Sequence, residues 1–312
     1  MDAVNATARE IEEFETFTRA AMVDVAACAL FVFDYLLTFG MEVQYVWLRP
    51  WTPMKVIYFL QCYLPFIDTV WLEVQLRFTE SPSIKACTQL RIAAVSLMFV
   101  GLATSELILA LRVWAVWNQS AIVTILLPIL FAACWLPHIP ILYFFLNSYK
   151  FAVPPPPPLF GCVAVAASEI VFVNWVLLLL WDTLVLLLML IPAFHAYSLN
   201  GTSALYYIIY TEGILYYFCI FAMSTINIVL LHIRSIAIEY RFMFVLMTRF
   251  LHSLLASRVL LHIRAAADQD AEHSMEVESI TASIDALTAA SRDDRASPRT
   301  SRLSRWLCRK GV

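Results

Sequence analysis

The stretch VAVAASEIVFVNWVLLLLWDTLVLLLMLI, residues 163–191, holds only two charged residues, Glu169 and Asp182, in 29 positions, and Pro192 closes it. A helix needs about 20 apolar residues to cross roughly 30 Å of hydrocarbon, so this stretch reads as a membrane span. Working outward, the same pattern recurs. Residues 20–39 are apolar apart from Asp24 and Asp34, and residues 56–72 form a second span kinked at Pro65. Residues 92–117 and 121–146 give spans three and four, joined by a tight turn around Asn118. Residues 213–233 give span six, with Asn227 as the one strongly polar residue inside it. Residues 236–256 contain Glu239, Arg241, Arg249 and His252, and a mid-bilayer arginine costs about 2.5–3.5 kcal/mol even on a lenient scale. They read as span seven, with Arg241, Val245, Thr248 and His252 on one face; an interfacial amphipathic helix is the alternative.

The composition agrees. Of 312 residues, 61% are hydrophobic and 14% charged, with a mean hydropathy of +0.75, far from the half apolar and quarter charged of soluble domains. The fold class is all-α: a polytopic, seven-transmembrane-helix bundle, or six spans plus an interfacial helix. The partner is the lipid bilayer. With 21 basic and 24 acidic residues, no basic surplus exists to hold a phosphate backbone, so nucleic acid is not a partner.

The domain organisation follows: residues 1–19 an extracellular segment, acidic where a signal peptide would be basic; residues 20–264 the membrane domain; residues 265–312 a disordered cytoplasmic tail. The tail is acidic over 265–287 and basic over 292–310, a solvated composition. Its Ser297, Ser301 and Ser304 each follow an arginine by two residues, which makes them phosphorylation candidates and the tail a possible seat for a cytoplasmic signalling protein. Trp306 and Leu307 could anchor the basic end on anionic lipid, and Cys308 could carry a palmitoyl chain.

Orientation is contested. Outside the tail, more bases flank the side that an external N-terminus makes outer, against the positive-inside rule. Of the sequons at Asn5, Asn118 and Asn200, only Asn5 is then external. Cysteines argue the other way. Cys28, Cys62, Cys134 and Cys219 sit in apolar spans and Cys308 in the tail, leaving Cys87 before span three and Cys162 before span five. Two such loops share a side, and a disulfide between them, closing about 75 residues, would mark that side as oxidising. Two unpaired loop cysteines are the alternative.

The stretch CALFVFDYLLTFGMEVQYVWLRPWTPMKVIYFLQCYLP, residues 28–65, resembles the N-terminal domain of fungal, mushroom-type multi-pass membrane proteins known as DUF6533, whose function is uncharacterised. The matching positions are Phe33, Asp34, Tyr35, Leu36, Leu37, Thr38, Glu42, Val43, Trp47, Trp51, Lys55, Tyr63, Leu64 and Pro65. Landmarks at 111–117, 212–217 and 256–264 are also similar. Cys62 stands where an arginine is frequent in that family, and Thr211, Glu212 and Gly213 stand where Arg-Asp-Gly often opens span six. The resemblance implies a seven-span, receptor-like layout and supplies no ligand.

Intramembrane ionisable groups are expensive and therefore candidates for function. Asp34, Asp68, Glu106, Glu169, Asp182 and Glu212 qualify; Glu106 and Asp182 lie deepest, and Glu106 is expected to pair with Arg249. His138, His195, His232, His252 and His262 are scattered without metal-ligand spacing, so neither a metal nor any cofactor is expected. No nucleophile elbow or phosphate loop occurs, and six glycines leave little to build one from. Enzymatic chemistry is not expected. Trp47, Trp51, Trp71, Trp114, Trp117, Trp135 and Trp175 read as interfacial anchors, with ligand stacking at Tyr216, Tyr217, Phe144 and Phe145 as a rival role. The function this supports is a receptor-like or signalling seven-span protein, with a transporter or channel as alternative, in the plasma membrane rather than an internal one.

Overall fold

The computed structural model describes residues 2–78, 83–152, 162–166, 168–198, 204–233, 238–242 and 244–296. The described residues are overwhelmingly helical, and they divide into two units, residues 1–261 and 262–312. In the first unit, α1 (Asp2–Glu42) runs into a π-helical turn at Val43–Trp47. The second helix is built in three pieces, α2 (Pro53–Pro65), a π-helical segment Phe66–Trp71 and α3 (Leu72–Phe78). Thr52 caps α2 by accepting the Lys55 N–H at 3.3 Å. Pro65 cannot donate to the helical ladder, and the wider π turn follows it directly. Next come α4 (Ile84–Val116), α5 (Ala121–Trp135) and α6 (His138–Ser148), the last two forming one span bent at Pro137. Asn118 and Gln119, at φ 51° and 56°, make the turn between α4 and α5.

A short antiparallel ribbon, β1 (Lys150–Ala152) with β2 (Val163–Ala166), precedes α7 (Val171–Ser198). This corrects the expected start of span five at residue 163: the alternating Val-Ala-Val-Ala is a strand, and the helix begins eight residues later. The proline run 154–158 lies outside the described residues. The chain continues through α8 (Ala204–His232), α9 (Ile238–Phe242) and α10 (Val245–Ala296).

Among the described residues six helices are long and apolar enough to cross a membrane: Thr18–Trp47, Ile84–Val116, Ala121–Ser148, Val171–Pro192, Ile214–His232 and Tyr240–His262. The stretch expected to be weakest, span seven, is among them and is the most enclosed of all. The helical run 53–78 is not, because Lys55, Gln61, Asp68 and Glu73 lower its hydropathy. These side chains turn inward or to the ends, so it packs as the seventh member of the bundle against α4. Outward faces are apolar: Leu30, Phe33 and Leu37 on α1, Ile122, Ile125 and Ile129 on α5, and Leu180, Leu187 and Ile191 on α7 are exposed at helical spacing. So much exposed apolar surface on a water-soluble protein would drive aggregation; against lipid it is the solvent-facing side.

The bundle's main core gathers Leu109, Val113, Trp181, Val185 and Met189 between α4 and α7, with Trp135 from α5 and Tyr217 and Ile220 from α8. A second cluster joins Tyr58, Cys62, Ile108 and Leu261, and a third stacks Phe31 on Phe250 at 4.7 Å between α1 and α10.

The second unit contains the continuation of α10. Residues 265–296, expected to be without structure, are helical, as their composition permits: there is no glycine or proline between 265 and 296, and alanine, leucine, methionine and glutamate favour helix. Ser297, Ser301 and Ser304 lie outside the described residues.

Candidate functional site

Three connected features sit in the first unit: a cavity near one end of the bundle, a buried polar core in its middle, and a hydrogen-bonded cluster at the opposite end.

The polar core starts from Asp68, carried in the π-helical segment after Pro65. Both Nε and a terminal nitrogen of Arg249 donate to Asp68 Oδ2 at 3.1 Å, and both side chains are fully buried. Glu106 instead lies 2.8 Å from His252 Nδ1 and accepts from Trp181 Nε1 at 3.0 Å. The expected Glu106–Arg249 pair is therefore corrected: on α10, residues 249 and 252 point at different neighbours, and the three-residue step hands Arg249 to the second span and His252 to Glu106. Gly101 makes the arginine's position possible, since a Cβ there would overlap the Arg249 guanidinium. Nothing in the sequence marked that glycine.

Around these charges the polar groups form a ladder. Gln61 bonds Ser105 and accepts from Thr104 at 2.8 Å, while Ser253 donates to the Gln61 carbonyl at 2.6 Å. Ser224 donates to Asp182 Oδ2 at 2.5 Å, and Asn227 bonds Thr248. Glu106 and Asp182 are both buried. Glu169, by contrast, is half exposed at the end of α7 near Arg241, 4.0 Å away.

The cavity, of about 190 Å³, lies on the side of the bundle where Cys87 and Cys162 form a disulfide with α-carbons 5.6 Å apart. Cys162 N–H also donates to the Leu76 carbonyl at 2.7 Å, tying the ribbon to the end of α3. Asp24, Asp68 and Glu73 reach the cavity from α1 and the second span, Arg91 and Phe99 from α4, and Trp135, His138, Asn174 and Trp175 from α5, α6 and α7. Arg91 donates to Glu73 at 2.9 Å and lies over the Tyr149 ring at 5.7 Å. Outside the spans, burial pushes the Tyr149 phenol above its ordinary value against the pull of Arg91, so it stays neutral. His138 Nδ1 is 3.0 Å from Asn174 Oδ1, while its Nε2 and the Trp135 Nε1 have no hydrogen-bond partner among the described residues although both residues are more than nine-tenths buried. Trp135 and Trp175 thus leave the expected set of anchors: they face inward, whereas Trp47, Trp51 and Trp71 are exposed as anchors should be. Phe145 also lines the cavity, Phe144 is exposed, and Tyr217 donates to the Leu109 carbonyl at 2.9 Å inside the core. Glu212 and His195 have no described side chains.

At the opposite end the loop between α1 and α2 is clamped from both sides. Glu42 is 1% exposed and accepts from Trp47 Nε1 and Tyr63 Oη, both at 2.8 Å. Tyr63 is in turn 3.0 Å from Tyr35 Oη. Lys55 donates to the Trp47 and Arg49 carbonyls at 3.1 and 2.8 Å, satisfying loop groups that have no helical partner, and stands over the Trp51 ring at 4.7 Å. Asp34 pairs with Arg258 of α10.

These features define a polytopic helical membrane protein whose interior is polar at depth and hollow at one end. Residues 22–67 match the model of a family of unknown function, DUF6533, and the chain carries that domain. The match covers α1 from Met22, all of α2 and the start of the π-helical segment, and six of the residues that carried the resemblance, Asp34, Tyr35, Glu42, Trp47, Lys55 and Tyr63, make the contacts just described. The later landmarks fall outside the matched residues. No curated protein and no solved structure matches the chain.

Proposed function

We propose that this protein is a receptor-like, signalling membrane protein that takes its ligand into the cavity beside the Cys87–Cys162 disulfide. Disulfides persist on the oxidising side of a membrane, so this reading puts the cavity and the N-terminus outside a plasma membrane and the clamp and the tail in the cytoplasm. The observation that carries it is the cavity's floor. The hollow ends at Asp68, Leu102 and Leu178, and neither Glu106 nor Asp182, one turn or more deeper, borders it. A ligand would press on Leu246 of α10, and the same helix carries Arg249, His252, Ser253 and Arg258 down to Asp34 and the matched domain. No chemistry on a substrate is part of this reading, and the tail's serines would meet cytoplasmic partners.

The rival, a transporter or channel, draws on the fully buried Glu106, Asp182 and His252, an expensive set to keep in a membrane. Thiol labelling in sealed cells separates the two, in protein that keeps only the disulfide cysteines. Met98→Cys should react with a membrane-impermeant reagent from outside, and Ser105→Cys from neither side. Reaction of Ser105→Cys from both sides would mean alternating access and would overturn the receptor reading.

A further inference from the structure

We propose that the cavity binds a small phenolic or hydroxylated arylalkylamine: a protonated amine on a single aromatic ring that carries a hydroxyl at its far end. The proposal rests on the receptor reading and names its ligand class. Size comes first. An apolar protein cavity of about 150 Å³ holds one benzene ring, so about 190 Å³ accommodates a ring with a short chain.

Charge comes second. Among the described residues on the wall, the carboxylates of Asp24, Asp68 and Glu73 outnumber the single guanidinium of Arg91, and Arg249 reaches only Asp68 from behind. An anion would be repelled there. A zwitterion would need a cation for its carboxylate, and Arg91 already donates to Glu73. A protonated amine suits these acids, and the aromatic rings of the lining favour both a cation and a ring.

The hydroxyl follows from His138 and Trp135. With Asn174 Oδ1 accepting from Nδ1, His138 Nε2 is left as an acceptor, and Trp135 Nε1–H is a donor. Both nitrogens are unpartnered among the described residues, and the two ring centroids are 4.9 Å apart. A buried polar atom without a partner costs about 1–3 kcal/mol. One hydroxyl satisfies both, accepting from Trp135 and donating to His138. The acids come from α1 and the second span and the two nitrogens from α5 and α6, which assigns amine and hydroxyl to different ends of the ligand.

The test is equilibrium binding to the purified full chain in detergent with four probes: tyramine, 2-phenylethylamine, 4-methylphenol and 4-hydroxyphenylacetate. Tyramine should bind about tenfold or more tighter than 4-methylphenol, which lacks the charge-assisted bond, and the carboxylate should bind weakest. Trp135→Phe should weaken tyramine more than 2-phenylethylamine, narrowing the difference between them, and Asp24→Asn should weaken both amines. Equal binding of the neutral or anionic probe, or no binding of tyramine, would overturn the ligand class. The probe series uses the unaltered protein, so a variant that fails to fold leaves its outcome intact. The receptor reading stands or falls separately, on the labelling of Met98→Cys and Ser105→Cys.

Discussion

Gly101→Ala is the sharpest probe of the polar core, because elementary helix energetics and the tertiary structure give opposite signs. Gly101 lies inside α4, and alanine in a helix interior is favoured over glycine by about 0.5–1 kcal/mol. Without a neighbour the substitution would stabilise. Here the new methyl would occupy the space of the Arg249 guanidinium, which is backed by Asp68 and cannot retreat into solvent, as both side chains are 0% exposed. Displacing it breaks a buried ion pair, a loss of about 3–5 kcal/mol when one partner is left without the other. Subtracting the helix gain leaves a net destabilisation of about 2–4 kcal/mol. At roughly 2–4 °C per kcal/mol in domains of 150–250 residues, and less in a larger chain, the melting temperature should fall by about 5–10 °C. The free thiols Cys62 and Cys134 are buried, so their reaction with a fluorogenic maleimide during heating reports unfolding in detergent. In the background Asp68→Leu/Arg249→Met, where both charges are gone, the same Gly101→Ala should be neutral or stabilising. Stabilisation by Gly101→Ala in the unaltered protein would refute the close approach of Gly101 and Arg249.

Glu42→Gln should cost about 1.5–3 kcal/mol by weakening the charge-assisted bonds from Trp47 and Tyr63, read by the same thiol assay; an unchanged melting temperature would remove Glu42 from the centre of the clamp. Lys55→Met frees the Trp47 and Arg49 carbonyls, so proteinase K should cut residues 48–52 faster than in the unaltered chain, and equal rates would show that the lysine does not hold the loop. Cys87→Ser, Cys162→Ser and the double variant should lose the same stability, about 2–4 kcal/mol on the chain-entropy account of disulfides; unequal losses, or two free thiols in protein alkylated before lysis, would count against the bond. Phosphopeptide mapping should find Ser297, Ser301 or Ser304 modified in cells, and an unmodified tail under all growth conditions would end that expectation.

Hydropathy alone located the six long apolar helices, because about 20 apolar residues admit few other fates and because backbone groups in lipid must bond within their own helix. It put the start of span five too early, and the second span joins the bundle through its packing on α4 rather than its hydropathy. The turn at Asn118 and the break at Pro65, where regular α-helix gives way to a π-helical segment, were also legible, each a local property of the residues concerned. Cys162 does lie outside the helices, but Cys87, read as a loop residue, sits in the first turn of α4. Which way each span faces was not. Apart from span seven, where Thr248 and His252 share a buried face, the spans are largely apolar all round, since lipid and bundle interior are alike to leucine, so no amphipathic stripe indicates the inward side. That is why Trp135 and Trp175 read as anchors and proved to line the cavity, and why Arg249 was given Glu106 when the rotation of α10 delivers it to Asp68. Glu42, Trp47, Lys55 and Tyr63 could be named from the sequence as a pattern, yet their mutual bonds exist only because α1 and α2 fold back on each other. Gly101 left no trace in the sequence: its role is a vacancy for another helix's side chain, and a vacancy acquires meaning only when the neighbour is in place.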